Sequence, residues 1–158
     1  LDVVLVAPKA TGNLVRSLFQ EGRGVPAMMA VGQNPSGHAK EIALAYAKGI
    51  GSTRAGVIET TFREETLTNL LGEQTVLAGW TALMEAGFDT FVKAGFQPEV
   101  AYLECVQKLS LLTEMIDKKG LAGMRQALSH AAEYGDATRG GRLVNHQTRE
   151  TMEKILRA

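Results

Sequence analysis

Short apolar runs set between glycine- and proline-marked turns fill the first third of the chain, and helical spacing takes over afterwards. Val3-Val4-Leu5-Val6-Ala7, stopped by Pro8, suits a buried strand. Thr11-Gly12-Asn13 then offers capping side chains ahead of Leu14, Val15, Leu18 and Phe19, a short helical face that ends at Gly22 and Gly24. Val25 to Val31 reads as a second strand, with Pro26 near its start, where the missing donor does least harm. Strand, helix and strand predict a βαβ fragment. Two strands make a poor sheet, so either a third run such as Gly56-Val57-Ile58 joins them or a partner completes the edge.

Gly32 to Gly37 is a turn, and Ser36 is placed to cap a helix running through Ile42, Leu44, Ala45 and Tyr46 to Gly49 and Gly51. An extended run, Arg54 to Glu59, leads into the longest apolar series: Leu67, Leu70, Leu71, Leu77, Met84, Phe88 and Phe91 keep helical spacing. Gly72 and Gly79 each disfavour that helix by about 1 kcal/mol relative to alanine, which predicts the close approach of another helix, or a kink. Pro98 suits the first turn of a further helix through Tyr102, Leu103, Cys105, Val106, Leu109, Leu111, Leu112, Met115 and Ile116, ending at Lys118-Lys119-Gly120. Apolar on more than one face, this segment is expected to be buried on most sides. Leu121 to Leu128 is a shorter helix, Ser129 to Gly141 reads as irregular, and Asn145 is placed to cap a polar final helix.

Composition narrows the function. A chain of 158 residues, 45% apolar and 22% charged, has the make-up of a globular domain. Seventeen basic residues balance 17 acidic ones without forming a block, so nucleic acid and anionic membranes are not expected partners. Cys105 has no cysteine to pair with, no run approaches the roughly 18 apolar residues of a membrane span, and the apolar start lacks a basic leader. A reducing, cytoplasmic setting is the expectation. The first residue is leucine, so the sequence is expected to begin inside a longer gene product.

Candidate chemistry gathers between Thr53 and Gln74, where the opening helical turns carry Glu64, Glu65, Asn69 and Glu73. Residues four apart share a helix face, so Asn69 and Glu73 present an amide and a carboxylate that either ligate a cation or are simply solvated. The histidines 38, 130 and 146 lack ligand spacing, and no Ser-His-Asp or Cys-His order suggests another chemistry. Nor does the chain contain the G-x-G-x-x-G turn that holds a dinucleotide.

The run R-A-G-V-I-E-T-T-F-x-E-E-T-x-T-x-L-x-G-E-Q, with V-V-L-V-A-P-K, G-V-P, A-L-A-Y-A-K-G-I-G, G-L-A-G-M-R and A-E-Y-G in order around it, resembles ketol-acid reductoisomerase. That family is NADPH- and magnesium-dependent and serves branched-chain amino-acid synthesis. The resemblance implies a mainly α fold: a strand-helix-strand remnant of a nucleotide-binding domain over residues 1–31, and a helical, knotted domain over 32–158 whose active site two interlocked copies share. A homodimer is therefore expected. The family holds two magnesium ions between an Asp/Glu pair on one helix and a Glu/Glu pair on the partner's, and the matching positions here are Asn69 with Glu73 and Glu104 with Lys108. Glu73 and Glu104 keep the ligand type, whereas Asn69 and Lys108 depart from it. Lys9 matches the family's active-site lysine and Ser129 its substrate-contacting serine; Lys9 also reads as a turn residue and Ser129 as a helix-ending hydroxyl. Lys108 either replaces a metal ion with its ammonium or makes a plain surface pair with Glu104. Neither magnesium nor NADPH is expected to bind this chain tightly, and turnover by the chain alone is not expected.

Overall fold

The computed structural model describes residues 1–157. They form two compact units, Leu1–Leu70 and a second from Leu71 onward. No helix among the described residues is long and apolar enough to cross a membrane.

The first unit is built on a three-stranded sheet, β1 (Val3–Pro8), β2 (Ala27–Gln33) and β3 (Val57–Glu59), in that spatial order. β1 and β2 are antiparallel, Val6 opposite Met29 and Pro8 opposite Ala27, which corrects the expected βαβ fragment. With Pro8 opposite Ala27, the chain leaves and re-enters the sheet at the same end, so α1 (Gly12–Gln20) lies on a same-end return and not on a crossover. The parallel pairing belongs to β2 and β3, joined through α2 (Ala39–Gly49), with Ala27 opposite Val57 and Met29 opposite Glu59. A parallel pair requires such a crossover because each strand must start from the same edge.

Val25, Ala27, Met29 and Ala30 are buried on the strand side of this unit's core, and Ala39, Ala43 and Ala47 on the helix side. Those alanines recur every four residues, so one stripe of methyl groups lets α2 sit close on the sheet. Ile42, Leu44 and Tyr46, the bulkier apolar residues through which the sequence traced this helix, are exposed. The N-cap residue of α2 is His38; Ser36 Oγ accepts from the His38 N–H at 3.0 Å, and Asn34 Oδ1 accepts from the Ala39 N–H at 2.9 Å. After α2, Gly51 takes φ +84°, in the left-handed region. There Arg54 stacks its guanidinium 4.7 Å from the Phe19 ring centroid and donates to the carbonyl of Arg23 at 3.0 Å, tying the end of α1 to this turn.

α3 (Phe62–Leu71) runs without a break into a π-helical segment, Gly72–Leu77, and then α4 (Ala78–Lys93). In the second unit α5 (Pro98–Tyr102), with Pro98 in its first turn, leads into another π-helical segment, Leu103–Gln107, and α6 (Lys108–Gln126), which breaks at Gly120 (φ 69°, ψ 173°). The stretch read as irregular is helical: α7 (His130–Thr138) and α8 (Gly140–Leu143) precede α9 (His146–Arg157). Asn145 caps α9, its Oδ1 accepting from the Thr148 N–H at 3.2 Å. A Cβ at Gly72 or Gly79 would meet nothing within 4 Å, while Gly79 lines an open cavity with Gln147, Thr151 and Ile155 of α9. Among the described residues of this unit only Thr75 and Ala101 are buried, and Val100, Tyr102, Leu103 and Leu111 lie exposed along a segment whose pattern predicted burial on most sides.

Candidate functional site

Lys9 follows directly on β1, where its own N–H donates to the Pro26 carbonyl at 2.9 Å and so fixes the residue at the sheet end. The side chain reaches α3: Nζ donates to Glu65 Oε1 at 2.7 Å and to Asn69 Oδ1 at 3.4 Å. Glu65 and Asn69 are four apart, one turn above the other on a single helix face. Thr61 orders the start of that helix, its Oγ1 accepting from the Glu64 N–H at 3.0 Å, and Thr68 Oγ1 donates to the Glu64 carbonyl at 2.7 Å. Only 11% of the Glu65 side chain and 28% of that of Lys9 are exposed, which makes this the least solvated ion pair among the described residues. A carboxylate so withdrawn from water needs a cationic partner, and Lys9 supplies it. The sequence pattern did not single out this pairing for Glu65. The spacing that links Asn69 forward to Glu73 also links it back to Glu65, and only the fold shows that Lys9 lies on the Glu65 side.

In the second unit Glu73 is the exposed second residue of one π segment, and Glu104 is the exposed second residue of the other. A π turn displaces the residues that follow it around the axis, and such turns frequently mark functional positions. Thr75, buried within the first π segment, bonds its Oγ1 to the Leu71 carbonyl at 2.5 Å, giving that acceptor a partner where the α-helical pattern is interrupted. Lys108 opens α6, and its Nζ lies 2.6 Å from Glu104 Oε2, both side chains at least half exposed. Ser129 is the N-cap of α7, its Oγ accepting from the Ala132 N–H at 3.4 Å. Glu133 and Tyr134 are exposed on α7, with the Arg139 guanidinium 5.7 Å from the Tyr134 ring centroid.

Two divalent ions require several charged oxygen donors, and the donors here do not fit. The Asn69 oxygen is neutral and turned to the Lys9 ammonium; Glu104 already holds the ammonium of Lys108. The turn between β2 and α2 does not fit a dinucleotide pyrophosphate either. Between β2 and α2 the N–H groups of Ser36, His38 and Ala39 are taken by Asp2, Ser36 and Asn34, and the Asp2 carboxylate stands where an anion would have to lie. Hydrogen bonds from the Ser36 side chain and backbone hold the Asp2 carboxyl below the usual aspartate range.

A small mixed sheet leading into a helical half is an architecture shared with solved reductases. An NADH-preferring ketol-acid reductoisomerase from an uncultured archean matches 99% of this chain at 43% identity, with a TM-score of 0.92. The match takes in 48% of that protein, so the chain spans about half its length. Pyrroline carboxylate reductase from Plasmodium falciparum, solved with NADP bound, matches with a TM-score of 0.59 at 16% identity over 99% of this chain and 60% of its own, a likeness of fold alone. The family model described as "Ketol-acid reductoisomerase, C-terminal domain" matches residues 62–158, and "Acetohydroxy acid isomeroreductase, NADPH-binding domain" matches residues 1–56. The chain belongs to the ketol-acid reductoisomerase family.

Proposed function

We propose that this chain is a subunit-joining half of a ketol-acid reductoisomerase-type protein, that it pairs with a second copy through its helical unit, and that alone it carries out no turnover. The observation that carries this is the uncovered apolar stripe of the second unit. Val76, Leu77, Trp80 and Leu83 are 65%, 50%, 42% and 50% exposed at helical spacing, in a unit whose described residues include only two buried ones. A helical bundle without an enclosed core leaves its apolar faces in water, and interfaces of permanent dimers resemble a core cut in half. The family's interlocked dimer supports a second copy as the cover.

The family reaction is metal-assisted alkyl migration in an acetohydroxy acid followed by reduction with NADPH. Lys9 and Glu65 are the groups of this chain suited to orient or protonate a substrate oxygen in such a reaction, but the donor set argues against a metal step and the occupied β2–α2 turn against a nucleotide step there. Light scattering at low micromolar concentration with chelator present should therefore give about twice the 17.0 kDa of the chain. The same sample, supplied with NADPH, magnesium and an acetohydroxy acid, should consume no cofactor above background. A folded monomer, or NADPH oxidation that tracks the purified protein, would overturn the assignment.

A further inference from the structure

We propose that Lys108 is a built-in counter-cation: this member of the family neutralises its second ligand-bearing helix with its own ammonium and has become a centre that rejects divalent metal. The inference rests on the reading proposed above of the chain as a paired half, and it names the class of ion that the inherited site no longer takes.

Three observations carry it. The Lys108 ammonium stands 2.6 Å from Glu104 Oε2, so the carboxylate most suited to a metal already has a positive partner that cannot diffuse away. In the first unit Lys9 is within hydrogen-bond distance of both Glu65 and Asn69, at 2.7 and 3.4 Å, so the amide in the other departed position serves as a lysine acceptor. Finally, the scaffold around the two carboxylates is intact: Glu73 and Glu104 occupy the same second position of their π segments, in a chain with 43% identity to a solved member. The backbone that presents the ligands has been kept while the charge has changed sign at one position and been lost at another. Lysine in place of an anionic ligand swings the local charge by two units, so that with neutral Asn69 the four positions carry one net negative charge in place of four, and the attraction for a divalent ion falls with it. Glu73 then remains as the one carboxylate of the four ligand positions without a cation of its own chain beside it among the described residues.

Manganese titration of the whole chain, followed by the electron paramagnetic resonance signal of the free ion and by calorimetry, tests this without requiring activity. The wild type should show no saturable binding up to millimolar metal. The variant Asn69→Asp/Lys108→Glu should bind at least ~100-fold more tightly, because two carboxylates are restored and one cation removed on a retained scaffold, and adding Glu73→Gln should remove the gain. Lys108→Gln, which stays polar and removes the positive charge, should bind more tightly than the wild type and serves if the double variant does not fold. Saturable manganese binding by the wild type that Glu73→Gln abolishes would overturn the inference, as would a folded, dimeric double variant or a folded Lys108→Gln chain with no gain. A monomeric wild type would instead remove the assignment on which it rests, while manganese binding by an intact wild-type dimer removes this inference alone.

Discussion

At the scale of single residues, the Lys9–Glu65 pair separates what a charge costs when partnered from what it costs alone. Lys9→Met strands a carboxylate whose side chain is 11% exposed, and the expected loss is about 1 to 3 kcal/mol in denaturant unfolding. Lys9→Met/Glu65→Leu should lose less than the single variant, since both partners of the pair go together. Ser52 presents the opposite case: its Oγ is buried and finds no hydrogen-bond partner. Ser52→Ala should be neutral or raise stability by up to about 1 kcal/mol, seen as an unchanged or higher melting temperature. Glu114 and Lys118 make an exposed pair at 2.6 Å; Lys118 holds the Glu114 carboxyl below its ordinary range, and Glu114 pushes the Lys118 ammonium above its own. A lowered acid stabilises the fold above its unfolded pKa and loses that as pH falls through the folded one; a raised base does so below its unfolded pKa and loses it as pH rises. Glu114→Gln should therefore lower stability slightly at neutral pH and leave it unchanged in strong acid, as read from melting curves at the two pH values.

At the scale of elements, small residues decide how closely the first unit packs. A Cβ on Gly24 would collide with the carbonyl oxygen of Gly51, and one on Gly51 would press on the Phe19 ring as well as strain a left-handed backbone. Gly24→Ala must therefore displace backbone, and a drop of roughly 1 to 3 kcal/mol in the unfolding free energy is expected, in line with overpacking. Ala43→Leu on the buried face of α2 should cost a similar amount, whereas Ile42→Ala on its exposed neighbour should change little. The π segments are the second unit's counterpart. Each places a carboxylate one residue after its start, so the turn that widens the helix also sets the direction of Glu73 and of Glu104.

At the scale of the whole molecule, the imbalance between the two units is the main finding. The first closes a core of alanine, valine and methionine between a sheet and a helix; the second leaves Phe96, Leu103 and Leu111 more than half in water and Trp80 42% exposed. Trp80 is the only tryptophan, so its emission reports the proposed interface directly. Dilution through the dissociation range should shift that emission to longer wavelength, and Leu83→Glu, which keeps the probe, should give the shifted spectrum and the monomer mass at all concentrations. Leu112→Ala, on the half-buried side of α6, should weaken association and folding together by roughly 2 to 5 kcal/mol.

Local signals in the sequence determined the positions of most elements, because each depends on the residue itself: Pro98 in a first helical turn, Asn145 as a cap, Gly120 ending one helical run and beginning the next. The order of the family's motifs was equally legible, and so were the two departures at Asn69 and Lys108. Tertiary structure alone decided the sheet's pairing, since the direction of β1 against β2 depends on where the chain returns, and an apolar run reads the same in either direction. It also decided which face of α2 is inside, for the small alanines beside bulkier Ile42 and Leu44 become the core only when a sheet lies against them. The Lys9–Glu65 bond joins residues 56 positions apart, a separation at which no periodicity survives, and only the three strands that bring α3 back to the end of β1 make them neighbours.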